Sequence, residues 1–116
     1  MSIDLQKTIK SLGFSEKQGQ VYLALLELGS ASVVQIARKA GLPRATVYGI
    51  LDELQQQGVV TSVGEARGKR FAAEAPEKLL ELSRQRTNLL SQAMPALQAL
   101  YRSPLDRPSV RVFQDK

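Results

Sequence analysis

Gly41-Leu42-Pro43-Arg44-Ala45-Thr46-Val47-Tyr48 joins two amphipathic segments through a turn of about two residues. A Gly-containing turn this short between two helical patterns is the mark of a helix-turn-helix. The segment before it opens at Ser32-Val33-Val34-Gln35, a capping-box pattern in which the serine hydroxyl takes one free N–H and the glutamine reaches back. Its apolar positions are Val33, Ile36, Ala37 and Ala40, and Gly41 closes it. The segment after it runs from about Pro43 to Gln57, with Val47, Ile50, Leu51 and Leu54 as the inner stripe.

Working outward, Ser15-Glu16-Lys17-Gln18 is a second capping box, ahead of an apolar face at Val21, Tyr22, Leu25 and Leu28. Ile3 to Leu12 forms a first helix with Leu5, Ile9 and Leu12 on one side. After Gly58 the period changes from helical to alternating. Val59–Val63 and Lys69–Ala72 read as two strands around the turn Gly64–Gly68, a hairpin that adds a wing. Pro76 then opens a long helix reaching about Tyr101, and residues 103–116 read as a linker or tail. The expected class is mainly α with a small β-hairpin (α+β): a winged helix-turn-helix over 1–75, then a long helix over 76–102.

Composition narrows the chemistry. The chain has 116 residues, no Cys, His or Trp, and sixteen Lys plus Arg against eleven Asp plus Glu, a net +5. Without thiolates or imidazoles, a zinc or iron–sulfur site and Cys- or His-based catalysis are not expected. No Gly-rich phosphate loop occurs, and no two carboxylates share a motif. The expectation is a non-enzyme with no catalytic residue, metal or cofactor. The longest apolar run, Val21 to Leu26, stops at Glu27, so no membrane span is expected. Lack of cysteine and of an N-terminal leader pattern fits the cytoplasm.

Duplex DNA is the partner that this pattern fits. A helix enters the major groove with its first residues at the base edges. At the start of the fourth helix, Arg44, Ala45, Tyr48 and Gly49 point outward, with Thr46 beside them. Arg44 suits a guanine edge or a phosphate, and the hydroxyls of Thr46 and Tyr48 suit either target. Arg67, Lys69 and Arg70 surround the wing turn, while Ser32 and Gln35 sit at the N-terminus of the third helix, whose dipole favours phosphate. Gly49 costs that helix up to about 1 kcal/mol relative to Ala. Residues 30–75 hold six cations against four carboxylates, a modest net +2. Two copies would double the contacts. Leu79, Leu82, Leu89, Ala93, Ala96 and Leu100 follow a heptad-like register on the long helix, with Leu80, Leu90 and Leu97 beside them, a candidate homodimer surface. Pro95 is expected to kink or interrupt that helix.

The runs Phe14–Gln18, Val21–Leu26, Gln35–Ala37, Gly41–Tyr48, Leu51–Leu54 and Gly58–Val60 together resemble the TrmB family of winged-helix transcriptional regulators, over roughly residues 3 to 75. The resemblance implies that the helix carrying Pro43-Arg44 enters the major groove, giving Arg44, Ala45, Thr46 and Tyr48 roles there. It also implies dimerisation through the long helix. Members typically carry a large effector domain, often for sugars, which 116 residues do not accommodate; Pro108–Phe113 resembles the strand leading into it. Sugar sensing is therefore not carried over, and the small-molecule effector stays open. The expected function is sequence-specific binding of double-stranded DNA by a homodimeric regulator. A winged-helix adaptor for proteins, without specific DNA binding, stands as the alternative.

Overall fold

A computed structural model describes residues 3–64 and 68–102. In chain order it has α1 (Leu5–Ser11), α2 (Glu16–Leu28), β1 (Ser30–Ala31), α3 (Val33–Ala40), α4 (Arg44–Gln56), β2 (Val60–Val63), β3 (Arg70–Ala73) and α5 (Glu77–Tyr101). This is a mainly α winged helix-turn-helix with a small antiparallel sheet, followed by a long helix. Both capping boxes form: Ser15 with Gln18, and Ser32 with Gln35. The expected strand over Val110–Phe113 and the wing residue Arg67 lie outside the described residues.

The core belongs to the first of two compact units, which ends at Ser83. Val47, Ile50, Leu51 and Leu54 of α4 are all buried, as their spacing predicts, against Val21, Tyr22 and Leu25 of α2 and Val33, Ile36 and Ala37 of α3. Two expected core positions differ. Leu5, the first residue of α1, is 58% exposed, and Ile9 is the residue that this helix buries. Leu28, in the last turn of α2, is 36% exposed, and Ala24 takes the buried place. Ala40 is half-buried and packs at the core's edge.

The sheet has a third strand that the alternation pattern does not reveal. Its order is β1-β3-β2, with Ser30 opposite Ala72 and Ala31 opposite Phe71. β1 is two residues long and exists only because β3 pairs with it from forty residues away in the chain. The hairpin register sets Ser62 opposite Phe71 and Val63 opposite Arg70. Phe71 and Ala31 thereby bury on one face, and the wing is anchored to the segment that leads into α3.

The first turns of α5 also belong to this unit, which runs past the boundary expected at residue 75. Leu79 and Leu82 are half-buried against the winged core. These two leucines therefore pack, in part, within their own unit. The second unit begins at Arg84. Its part of α5 has no buried residue, and of the kink or interruption expected at Pro95 the interruption does not occur. A proline removes one donor, but the remaining ladder still defines the helix. No helix among the described residues is long and apolar enough to cross a membrane.

Side-chain amides tie α2 to α4 and α1 to α2. Gln18 accepts from the Ser15 N–H at 2.8 Å through Oε1, and its Nε2 donates to Glu53 Oε1 of α4, also at 2.8 Å. The capping box thus aims the glutamine amide at the recognition helix. On α1, Gln6 Nε2 donates to the Glu16 carbonyl at 2.7 Å. Its Oε1 lies 2.5 Å from where a Cβ on Gly19 would stand. Only glycine lets the amide rest there.

Gly19→Ala should displace the Gln6 amide and loosen α1. The helix gains up to about 1 kcal/mol from alanine and loses a hydrogen bond worth roughly the same. Urea unfolding should therefore change little, while amide exchange in residues 5–11 accelerates; a clear gain in stability with α1 protection intact would show that the contact carries nothing. Gln18→Glu should destabilise the domain by placing two carboxylates together. Combining it with Glu53→Gln restores the bond between the two side chains, with donor and acceptor exchanged, and should recover about 0.5–1.5 kcal/mol of that loss. Additive single-variant effects would contradict the tie.

Candidate nucleic-acid interface

The tight turn rests on backbone geometry. Gly41 caps α3 in the left-handed region at φ 74°, where a side chain would be strained. Its N–H and that of Leu42 both donate to the Ala37 carbonyl, at 2.9 and 3.0 Å. Pro43 is the N-cap of α4 and supplies no side-chain hydrogen bond. The first N–H groups of α4 are therefore left to solvent or to a ligand. Arg44 takes the first helical position, where a cation gains nothing from the helix dipole.

Because Val47, Ile50, Leu51 and Leu54 bury one side of α4, the opposite side is bare. Arg44, Ala45, Tyr48 and Gly49 are exposed there, Tyr48 at 53%, and Thr46 is half-buried. Nothing lies within 4 Å of a Cβ built on Gly49, so this stretch is open to close approach.

Ser32, Tyr48 and Lys69 come together. They line one groove of about 310 Å³ between the start of α3, the middle of α4 and the wing strand. Gln35 does not join them: it lines a separate depression with Leu28, Arg38 and Lys39 on the outer side of α3. Its Oε1 is already engaged by the Ser32 N–H at 2.9 Å.

Arg70 takes a role that residue type alone does not show. Its Nε donates to Ser30 Oγ at 3.1 Å and its Nη2 to the Ser30 carbonyl at 2.7 Å. The guanidinium clamps β3 to β1 and steadies the wing, rather than reaching outward like Lys69. Finding this from sequence would have required knowing that Ser30 pairs with β3. Lys39 is likewise engaged, with Glu27 at 2.8 Å. Among the described residues, no ion pair engages Arg44 or Lys69. The acidic pair on α4 divides. Glu53 turns to Gln18, whereas Asp52 lines the same groove as Tyr48 and Lys69 rather than facing away from it. No cluster of metal-ligating side chains occurs among the described residues.

The described geometry offers an exposed helix N-terminus, a cationic wing strand and a groove between them. Structural neighbours share this architecture. An archaeal chromatin protein, TrmBL2, reported to show a novel mode of DNA binding, superposes at TM-score 0.76 over 97% of this chain and 46% of its own, at 15% identity. MarR from E. coli in its oxidised form gives TM-score 0.54 over 95% of this chain and 77% of its own, at 17% identity. In sequence, the sugar-sensing transcriptional regulator TrmBL1 of Pyrococcus furiosus is 31% identical over 101 residues, 84% of this chain and 28% of its own length. The transcriptional repressor IclR of Escherichia coli is 46% identical over 37 residues, 32% of this chain and 14% of its own. The chain thus spans little more than a quarter of the length of the first curated relative. The family described as Sugar-specific transcriptional regulator TrmB matches residues 9–77, from α1 through the winged core to the start of α5, and the chain belongs to that family.

Proposed function

We propose that this protein is a transcriptional regulator of the cytoplasm that binds double-stranded DNA in a sequence-specific manner as a homodimer. The observation that carries the reading is the bare leading turn of α4. Its buried stripe fixes the helix to the core, and Arg44, Ala45, Thr46, Tyr48 and Gly49 are left on the accessible side. Such a turn meets base edges in the major groove. Lys69 supplies phosphate contact from the wing, and Ser32 supplies it from the N-terminal turn of α3. Arg67, on the turn of the wing, belongs to the same reading but lies outside the described residues. Gln35 and Arg70 have lesser roles here, since Gln35 Oε1 and the Nε and Nη2 of Arg70 are engaged within the protein.

Dimerisation is supported by the far part of α5. Leu89 is 66% exposed, Leu90 56%, Leu97 46% and Leu100 68%, and Ala93 is exposed among them. A run of leucines this long on one helix costs free energy in water unless a partner covers it. Two copies paired there double the phosphate contacts that a net +2 leaves sparse in one copy. Half-sites would then lie about 34–36 Å apart or a multiple of that. Sugar sensing, which the name of the relative TrmBL1 records, is not part of the proposal, because the family match covers the winged region.

Fluorescence anisotropy on a duplex selected from a random-sequence pool, with a scrambled duplex beside it, tests the reading. Arg44→Ala should cost roughly 1–3 kcal/mol on the selected duplex and much less on the scrambled one. Lys69→Ala should weaken both alike and lower the salt slope by about 1. Equal losses on both duplexes for Arg44→Ala would refute base reading. No salt-dependent binding to any duplex would leave the adaptor alternative.

A further inference from the structure

Asp52 is a charged residue of the groove that DNA contact does not use. It lies one helical turn beyond Tyr48 on α4 and lines the groove of about 310 Å³ that Lys69 lines from the wing. Among the described residues it forms no ion pair. A carboxylate in a DNA-facing groove repels phosphate, so its presence weakens binding to every duplex. The groove is not merely polar. Val33, Leu51 and Phe71 line it and are almost fully buried, and the half-exposed ring of Tyr48 lies along it.

The signs of its charges restrict what fits. A simple anion meets Asp52, and a simple cation meets Lys69. A molecule that carries both charges on a small apolar body can satisfy the carboxylate, the ammonium and the apolar lining together. The volume lies at the lower end of the range for small-molecule sites, about 300–1,000 Å³, which suits a ligand of amino-acid size.

We propose that the groove between α4 and the wing is an effector site for a small zwitterion of the apolar α-amino acid class. Its ammonium lies on Asp52, its carboxylate on Lys69 and its side chain against Val33, Leu51 and Phe71. Occupancy excludes duplex DNA, because Tyr48 and Lys69 cannot serve both. The exclusion rests on the DNA-contact reading above; the site itself does not.

The two parts are measured separately on the full chain. In DNA-free protein, amide chemical shifts are followed while L-phenylalanine or L-leucine is added, with phenylalaninamide, 3-phenylpropanoate and glucose as single-charge and neutral controls. The expected result is saturable shifts in residues 32–34, 48–55 and 68–71 with at least one zwitterion. That zwitterion should bind about tenfold or more tightly than any control, and Asp52→Asn should lose about tenfold, as for one charge-assisted hydrogen bond. Asp52 is exposed, so the variant should fold; unchanged thermal unfolding checks this. Equal binding of the controls, no binding by either zwitterion, or unaltered affinity in Asp52→Asn overturns the site. In the second measurement, a saturating zwitterion should weaken DNA binding by the wild-type chain and not by Asp52→Asn. Undiminished DNA affinity with the ligand bound overturns the exclusion. Absence of DNA binding in ligand-free protein counts against the DNA-contact reading alone, since the first measurement judges the site without DNA.

Discussion

The molecule depends on the burial of one side of α4. Val47, Leu51 and Leu54 are removed from water, and Ile50 is nearly so, by α2 and α3. Each such side chain contributes roughly 1.5–3 kcal/mol relative to exposure. The Gln18–Glu53 hydrogen bond contributes only about 0.5–1.5 kcal/mol. The apolar stripe therefore decides that α4 sits where it does, and the polar tie adjusts how it is held. Everything accessible on α4 is the complement of that stripe, which is why Arg44 and Tyr48 face outward together.

The wing is held by a different logic. Phe71 and Ala31 supply its apolar anchor, and Arg70 reaches across to Ser30. β1 immediately precedes Ser32, the N-cap of α3. β3 is thus hydrogen-bonded to the segment that starts α3, and the groove walls formed by α3, α4 and the wing lie within one unit.

Much of this was legible in the sequence because it is local. The two capping boxes need only a serine and a glutamine three residues apart, and both form. The α4 stripe needs only helical spacing, and all four expected positions are buried. The illegible features are non-local. β1 has no pattern of its own; Arg70 looks like a surface cation until Ser30 is placed beside it; Asp52 and Glu53 are neighbours in sequence, yet Glu53 bonds to Gln18 while Asp52 lines the groove. Leu79 and Leu82 share a register with Leu89 and Leu100, and periodicity cannot tell a helix face that packs on its own core from one that stays exposed. Pro95 lies at the opposite limit: the local rule allows a kink or an interruption, and the helix continues through it.

The duplex-binding surface proposed for this protein is the leading turn of α4 together with the wing. The most direct measurement is an amide chemical-shift map of the full chain titrated with a selected duplex at two salt concentrations. The account predicts the largest changes in residues 44–49 and 68–70, diminishing as salt rises. Changes confined to α1 or to the exposed part of α5, or changes that salt does not affect, would contradict it.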